Sequence, residues 1–141
     1  MIISFDLDDT LIPTTKKFDV EKQIFSQKVF KIEKLRLGTK ELFENLRKNN
    51  HKIYIYTTSF RSQLRIFIMF KSYGLKVDKI INQNVHLKRV RKNATKYPPE
   101  FEIDLHIDDS IGVQMEGEKY NFKTIIILPE DKNWVEKLNF S

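Results

Sequence analysis

Cysteine is absent from the 141 residues, which rules out a disulfide framework and a thiolate metal site. Glycine is scarce: 4 residues against 11 phenylalanines and 5 tyrosines, a balance that points to an aromatic-rich core. No apolar run approaches the roughly 18 residues of a membrane span. The start, MIISFDLDD, lacks the charged region, apolar middle and small-residue cleavage site of a secretory signal. Low-complexity tracts, linkers and internal repeats are missing too. Together these absences make a reducing cytoplasm the simplest home and predict no membrane partner.

What is present reads as a globular chain. Hydrophobic residues make up 40% and charged residues 31%, and the length suits one domain over residues 1–141. The net charge of +6 favours acidic partners, either a phosphorylated substrate or nucleic acid, and the densest basic stretch is Lys88-Arg89-Val90-Arg91-Lys92.

Apolar, β-prone runs at residues 2–7, 52–57, 77–81, 103–107 and 123–128 predict five strands. Helical spacing predicts a helix from Thr39 as N-cap, carrying Leu42, Phe43 and Leu46. Further helices are expected after Ser59 up to Gly74, over Ser110–Tyr120, and after an Asp131 cap with Trp134, Val135 and Leu138. Residues 16–37 fit neither period and suit a helix or a short hairpin. Residues 82–100 are polar and basic, and are expected to return in extended form through Pro98-Pro99. Strands alternating with helices predict a three-layer α/β/α, Rossmann-like domain with a mainly parallel five-stranded sheet.

In such sheets functional residues gather at the carboxyl ends of strands. Asp6, Asp8, Asp9 and Thr10 follow the first strand, Thr57, Thr58 and Ser59 end the second, and Asp108-Asp109 end the fourth. Carboxylates crowded on neighbouring strand tips are costly unless a cation neutralises them. A hard divalent ion with oxygen ligands answers that need, and Mg²⁺ is the commonest; a phosphate would complete its coordination.

Three segments carry a resemblance to a known family. IISFDLDDTL resembles motif I of the haloacid-dehalogenase (HAD) superfamily, IYIYTTS resembles motif II, and IDLHIDD resembles motif IV. Their order and spacing fit across residues 2–128. The resemblance implies a HAD-like fold and a Mg²⁺-dependent phosphatase. It makes Asp6 the nucleophile that forms an aspartyl-phosphate and Asp8 the general acid and then base, with the Asp8 backbone carbonyl also on the metal. Thr57 would hold a phosphate oxygen, with Thr58 as the alternative. Asp108 would bind the metal directly, and Asp109 directly or through water. Asp9 would face solvent, and Thr10 would steady the loop.

The family also uses a lysine to neutralise the transferring group. Lys88, Lys92 and Lys96 all qualify. Lys96 is preferred if residues 85–97 form a loop, and Lys88 if it begins a helix. His106 is expected to alternate with the Asp108 side of its strand; with His51 and His86 it reads as structural or surface. A large cap domain is missing, since residues 11–38 and 82–100 are too short for one; residues 14–38 could supply only a flap or a single helix. A response-regulator receiver is disfavoured, because the third strand ends without an aspartate. The remaining alternative is a catalytically silent HAD-fold module that binds phosphate or nucleic acid.

Overall fold

A computed structural model of the chain describes residues 1–138. Five strands form one parallel sheet: β1 (Ile2–Phe5), β2 (Lys52–Tyr56), β3 (Lys79–Ile81), β4 (Leu105–Asp108) and β5 (Thr124–Ile126), in the order β3-β2-β1-β4-β5. The expected α/β class and sheet are found. Central β1 pairs with β2 and β4 so that Phe5 stands opposite both Ile55 and Ile107. That register brings the tips carrying Asp6, Thr57 and Asp108 side by side.

Alternation along the strands divides the apolar residues between two faces. Ile3, Phe5, Ile53, Ile55 and Ile107 pack on one side with Leu42, Phe43 and Leu46 of α2 (Thr39–Lys48) and Ile66, Met69 and Phe70 of α3 (Gln63–Ser72). Tyr56 and Ile81 face the other side, against Val85 of α4 (Gln83–Arg89) and Phe101 of a 3₁₀ turn at Pro98–Phe101. A fifth helix, α5 (Ile111–Tyr120), packs against β5. Among the described residues no helix is long and apolar enough to cross a membrane.

Several local expectations are corrected. Thr39 is the first helical residue of α2, and Gly38, at φ 98°, is the cap. The donors there are satisfied from a distance, by Glu21 Oε1 accepting from the amides of Gly38 and Lys40 at 3.1 Å each. Ser62, not Ser59, caps α3, accepting from the Arg65 amide, while Ser59 Oγ accepts from Arg61 N. Asp131 accepts from the Leu128 amide and Lys137 Nζ, and the final segment, Trp134–Leu138, is 3₁₀. Residues 82–100 are not a continuous loop, since Asn82 caps α4 through its side chain. Pro98 and Pro99 open a 3₁₀ turn, a use of proline's fixed φ at a helix start.

Residues 14–38 combine both forms that were open for them. An antiparallel bridge between Val20 and Arg36 makes a hairpin-like arm, tipped by the short helix α1 (Phe25–Val29). Gln23 donates to Tyr73 Oη, and Gln27 donates to Ser72, fastening the arm to the end of α3.

Candidate active site

Asp6, Asp108 and Asp109 converge, with one ligand oxygen from each lying within 4.8 Å of the others. Lys96 enters the same cluster, its Nζ 2.9 Å from Asp6 Oδ1 and 2.9 Å from Asp108 Oδ2. Of the lysines under consideration, Lys96 is buried while Lys88 and Lys92 are exposed; Lys88 lies in the last turn of α4. The chain reaches the cluster because α4 ends at Arg89, and the backbone at 95–96 is then held by Glu116 of α5. Its carboxylate accepts from the Thr95 amide at 2.5 Å and the Lys96 amide at 3.2 Å. Tyr97 N–H donates to Tyr56 Oη at 3.0 Å, and the Lys96 ammonium lies 5.5 Å from the Tyr56 ring centroid.

Asp108 is the most heavily hydrogen-bonded acid of the group. Oδ1 accepts from the Asp109 and Ser110 amides, and Oδ2 accepts from Lys96 and from His106 Nε2 at 2.8 Å. His106 Nδ1 lies 2.7 Å from Ser4 Oγ, so a neutral ring donating through Nε2 and accepting through Nδ1 satisfies both contacts. Residues two apart in a strand share a face, which puts His106 on the Asp108 side and corrects the expected alternation. Burial pushes the His106 imidazole down despite its carboxylate partner.

The acids do not titrate alike. Burial acts to raise all three. It prevails at Asp6, where Lys96 opposes it and the Asp108 charge reinforces it. At Asp108 burial is outweighed by Lys96 and His106, and the carboxyl is held well below its usual range. Asp109 is pushed up to about 7, by burial and then by the Asp6 and Asp108 charges. Thr10 Oγ1 lies 2.9 Å from Asp6 Oδ2 and 3.1 Å from Asp109 Oδ1. One hydroxyl proton serves one of them fully at a time; a proton retained on Asp109 fits that shortage.

Once Asp6 and Asp109 ionise, three carboxylates against one ammonium leave the cluster short of positive charge. Its donors are hard oxygens, and the deficit matches a divalent cation, so the residues present fit Mg²⁺.

The Asp8 side chain stands apart from this group. Both of its oxygens are gripped by Arg61 at 2.9 Å, and Thr14 Oγ1 donates to Oδ1 at 2.6 Å. Burial would raise the Asp8 carboxyl, but the Arg61 and Thr14 hydrogen bonds prevail and hold it low. Arg61 also pairs with Glu33 of the arm at 3.0 Å. Thr57 is buried at the β2 tip, and its Oγ1 accepts from the Ser59 amide; Thr58 is exposed. Asp9, at φ 62°, organises the following loop rather than simply facing solvent. Its Oδ1 accepts from the amides of Thr14, Thr15 and Lys16.

The sequence reading missed Arg61 and Arg36. Arg36 is almost fully buried; it donates to the carbonyls of Thr10, Leu128 and Asp131 and lies 4.5 Å from the Phe18 ring centroid. It therefore ties the loop after β1 to the segment after β5. No motif flagged either arginine.

No protein-family model and no curated protein matches the chain. Among solved structures, a HAD-superfamily hydrolase from Ehrlichia chaffeensis is similar, with a TM-score of 0.50 and 16% identity over 96% of this chain and 96% of that one. At that identity the likeness speaks for the fold, and the fold is HAD-like, in agreement with the resemblance read from the motifs.

Proposed function

We propose that the chain is a Mg²⁺-dependent phosphohydrolase that works through an aspartyl-phosphate on Asp6. The observation that carries this is the meeting of Asp6, Asp108, Asp109 and Lys96 at adjacent strand tips. Asp6 attacks phosphorus, a bond forms between its carboxylate oxygen and phosphorus, and the bond to the leaving oxygen breaks. Lys96 stands against the nucleophile and balances charge on the transferring group. Asp8 gives a proton to the leaving oxygen, then takes one from the water that cleaves the aspartyl-phosphate and releases inorganic phosphate. For that it must first leave the Arg61 grip, take up a proton from solvent water and turn toward Asp6. Thr57 and Thr58 at the β2 tip would donate to phosphate oxygens, whereas Lys88, in the last turn of α4, takes no part. Bound Mg²⁺, held by Asp6, Asp108, Asp109 and the Asp8 carbonyl, would supply electrostatic stabilisation of the phosphoryl oxygens. The test is hydrolysis of an aryl phosphate: turnover should require Mg²⁺, stop with chelator and vanish in Asp6→Asn. Undiminished turnover in Asp6→Asn would refute the assignment.

One feature supports a second reading. With Asp8 held ionised by Arg61, the same site suits a module that binds a phosphorylated ligand or nucleic acid without turnover. Calorimetric binding of phosphate with Mg²⁺, in a protein that hydrolyses no phosphate ester, would decide for it.

A further inference from the structure

A helix at a protein surface ordinarily buries one apolar stripe and gives the rest to polar residues. α3 departs from this. Ile66, Met69 and Phe70 face the core, while Leu64, Phe67 and Ile68 stand exposed on its outer side. From the arm, Phe30, 77% exposed, lines the same concavities as Ile68, and Phe25, 82% exposed, and Val29 are exposed on the short helix α1. These six are nearly half of the thirteen large apolar side chains exposed among the described residues, so they are concentrated rather than scattered, as interaction sites are. Between arm and α3 lie two concavities of about 310 and 460 Å³, and Phe30, Ile32 and Ile68 line both.

Charge around this face is mainly positive. Lys28, Lys31, Lys34, Arg65 and Lys71 are exposed along the arm and α3, and Lys71 Nζ lies 5.7 Å from the Phe67 ring centroid. The carboxylate within the face, Glu33, is already taken by Arg61 and Arg65. We propose that this face docks an amphipathic helical segment of another protein, whose apolar stripe fills the two concavities and whose flanking carboxylates meet the lysines and Arg65. Apolar side chains at helical spacing suit a concave groove, and opposite charge steers the encounter. A second copy of this chain fits poorly, because a two-fold contact sets the same surface against itself and brings its cations together. A flat lipid surface would leave both concavities unfilled. Arg61 forms part of the smaller concavity and grips Asp8, so the segment would lie beside the Asp8–Arg61 pair, but its binding does not depend on turnover.

The full chain is titrated with a fluorescent helical peptide of about 18 residues, with leucines at alternating third and fourth positions and glutamates on both flanks. A twin peptide carries lysine for glutamate. The acidic peptide should bind roughly tenfold tighter or better, an advantage that shrinks with added salt. Ile68→Ser and Phe30→Ser should each weaken it by roughly tenfold without moving the melting temperature, since both side chains are exposed. Equal affinity for the two peptides, or no binding of the acidic one, overturns the proposal. So does a concentration-dependent dimer of the free protein that Ile68→Ser abolishes in sedimentation. Retention on phosphatidylcholine–phosphatidylglycerol vesicles that Phe30→Ser removes overturns it as well.

Discussion

Lys96→Met removes a charge while keeping most of the side chain's length and apolar stem. The ammonium contacts Asp6 and Asp108 at 2.9 Å each, with side-chain exposures of 2%, 9% and 2% for Lys96, Asp6 and Asp108. Water therefore cannot replace it at little cost. Stripping one partner from a buried ion pair typically costs about 3–5 kcal/mol. For a domain of this size that corresponds to a fall in melting temperature of roughly 10–15 °C, measured by circular dichroism in chelator near neutral pH. The loss should depend on pH with a definite sign. Without Lys96, Asp6, already raised by burial, rises further above its unfolded value, and Asp108 loses the main charge that holds it low. Such carboxyls are neutral and cost little in acid, and their penalty grows as pH rises above the unfolded value. The gap between parent and variant should therefore narrow near pH 4 and be widest above about pH 7. Mg²⁺ should raise the variant's melting temperature more than the parent's, because the variant has the larger charge deficit. A fall of less than about 3 °C, or a gap indifferent to pH, would refute the claim that Lys96 neutralises this cluster.

Other consequences follow from the same geometry. With chelator present, Asp109, pushed up to about 7, and Asp6, also raised, bind protons in the folded state that the unfolded chain has released. Stability should therefore decline as pH rises from about 4 through 7, and saturating Mg²⁺ should flatten that decline in a thermal-shift series. His106→Leu should weaken Mg²⁺ affinity by roughly 10–100-fold, measured by calorimetry, while His106→Gln, which can still donate to Asp108, should recover part of it. Arg61→Gln should free Asp8 from the grip that keeps its carboxyl low, and the alkaline fall of kcat/KM should move to higher pH. Gly38→Ala should lower stability by about 1–3 kcal/mol, read from urea unfolding. Gly38 sits at φ 98°, and an added Cβ would meet Val135 Cγ2 at 2.8 Å.

The parts legible in the sequence are those in which position along the chain fixes position in space. A strand delivers its last residue to the edge of the sheet, so an acid following an apolar run, as at Asp6 and Asp108, could be assigned to that edge before the fold was known. His106 was misplaced by the expectation that it alternates with the Asp108 side, although the two-residue step puts both on one face; what the step cannot reveal is that Ser4, on the neighbouring strand, fixes the ring. The lysine was different in kind. Three lysines precede the fourth strand, and the choice between them turned on whether residues 85–97 were helix or loop. They are both: Asn82 starts a helix that ends at Arg89, and the chain then depends on Glu116, twenty residues further on, to hold the backbone that aims Lys96. The Arg61 grip on Asp8 was beyond reach for a related reason. A guanidinium joins groups from separate elements, here the first loop, the arm and the segment after β2, and Arg61 and Glu33 taken alone look like ordinary surface charges. Cross-element electrostatics of this sort leave no period in the sequence, which is why the acids could be read in advance, Lys96 only as one preferred lysine of three, and Arg61 and Arg36 not at all.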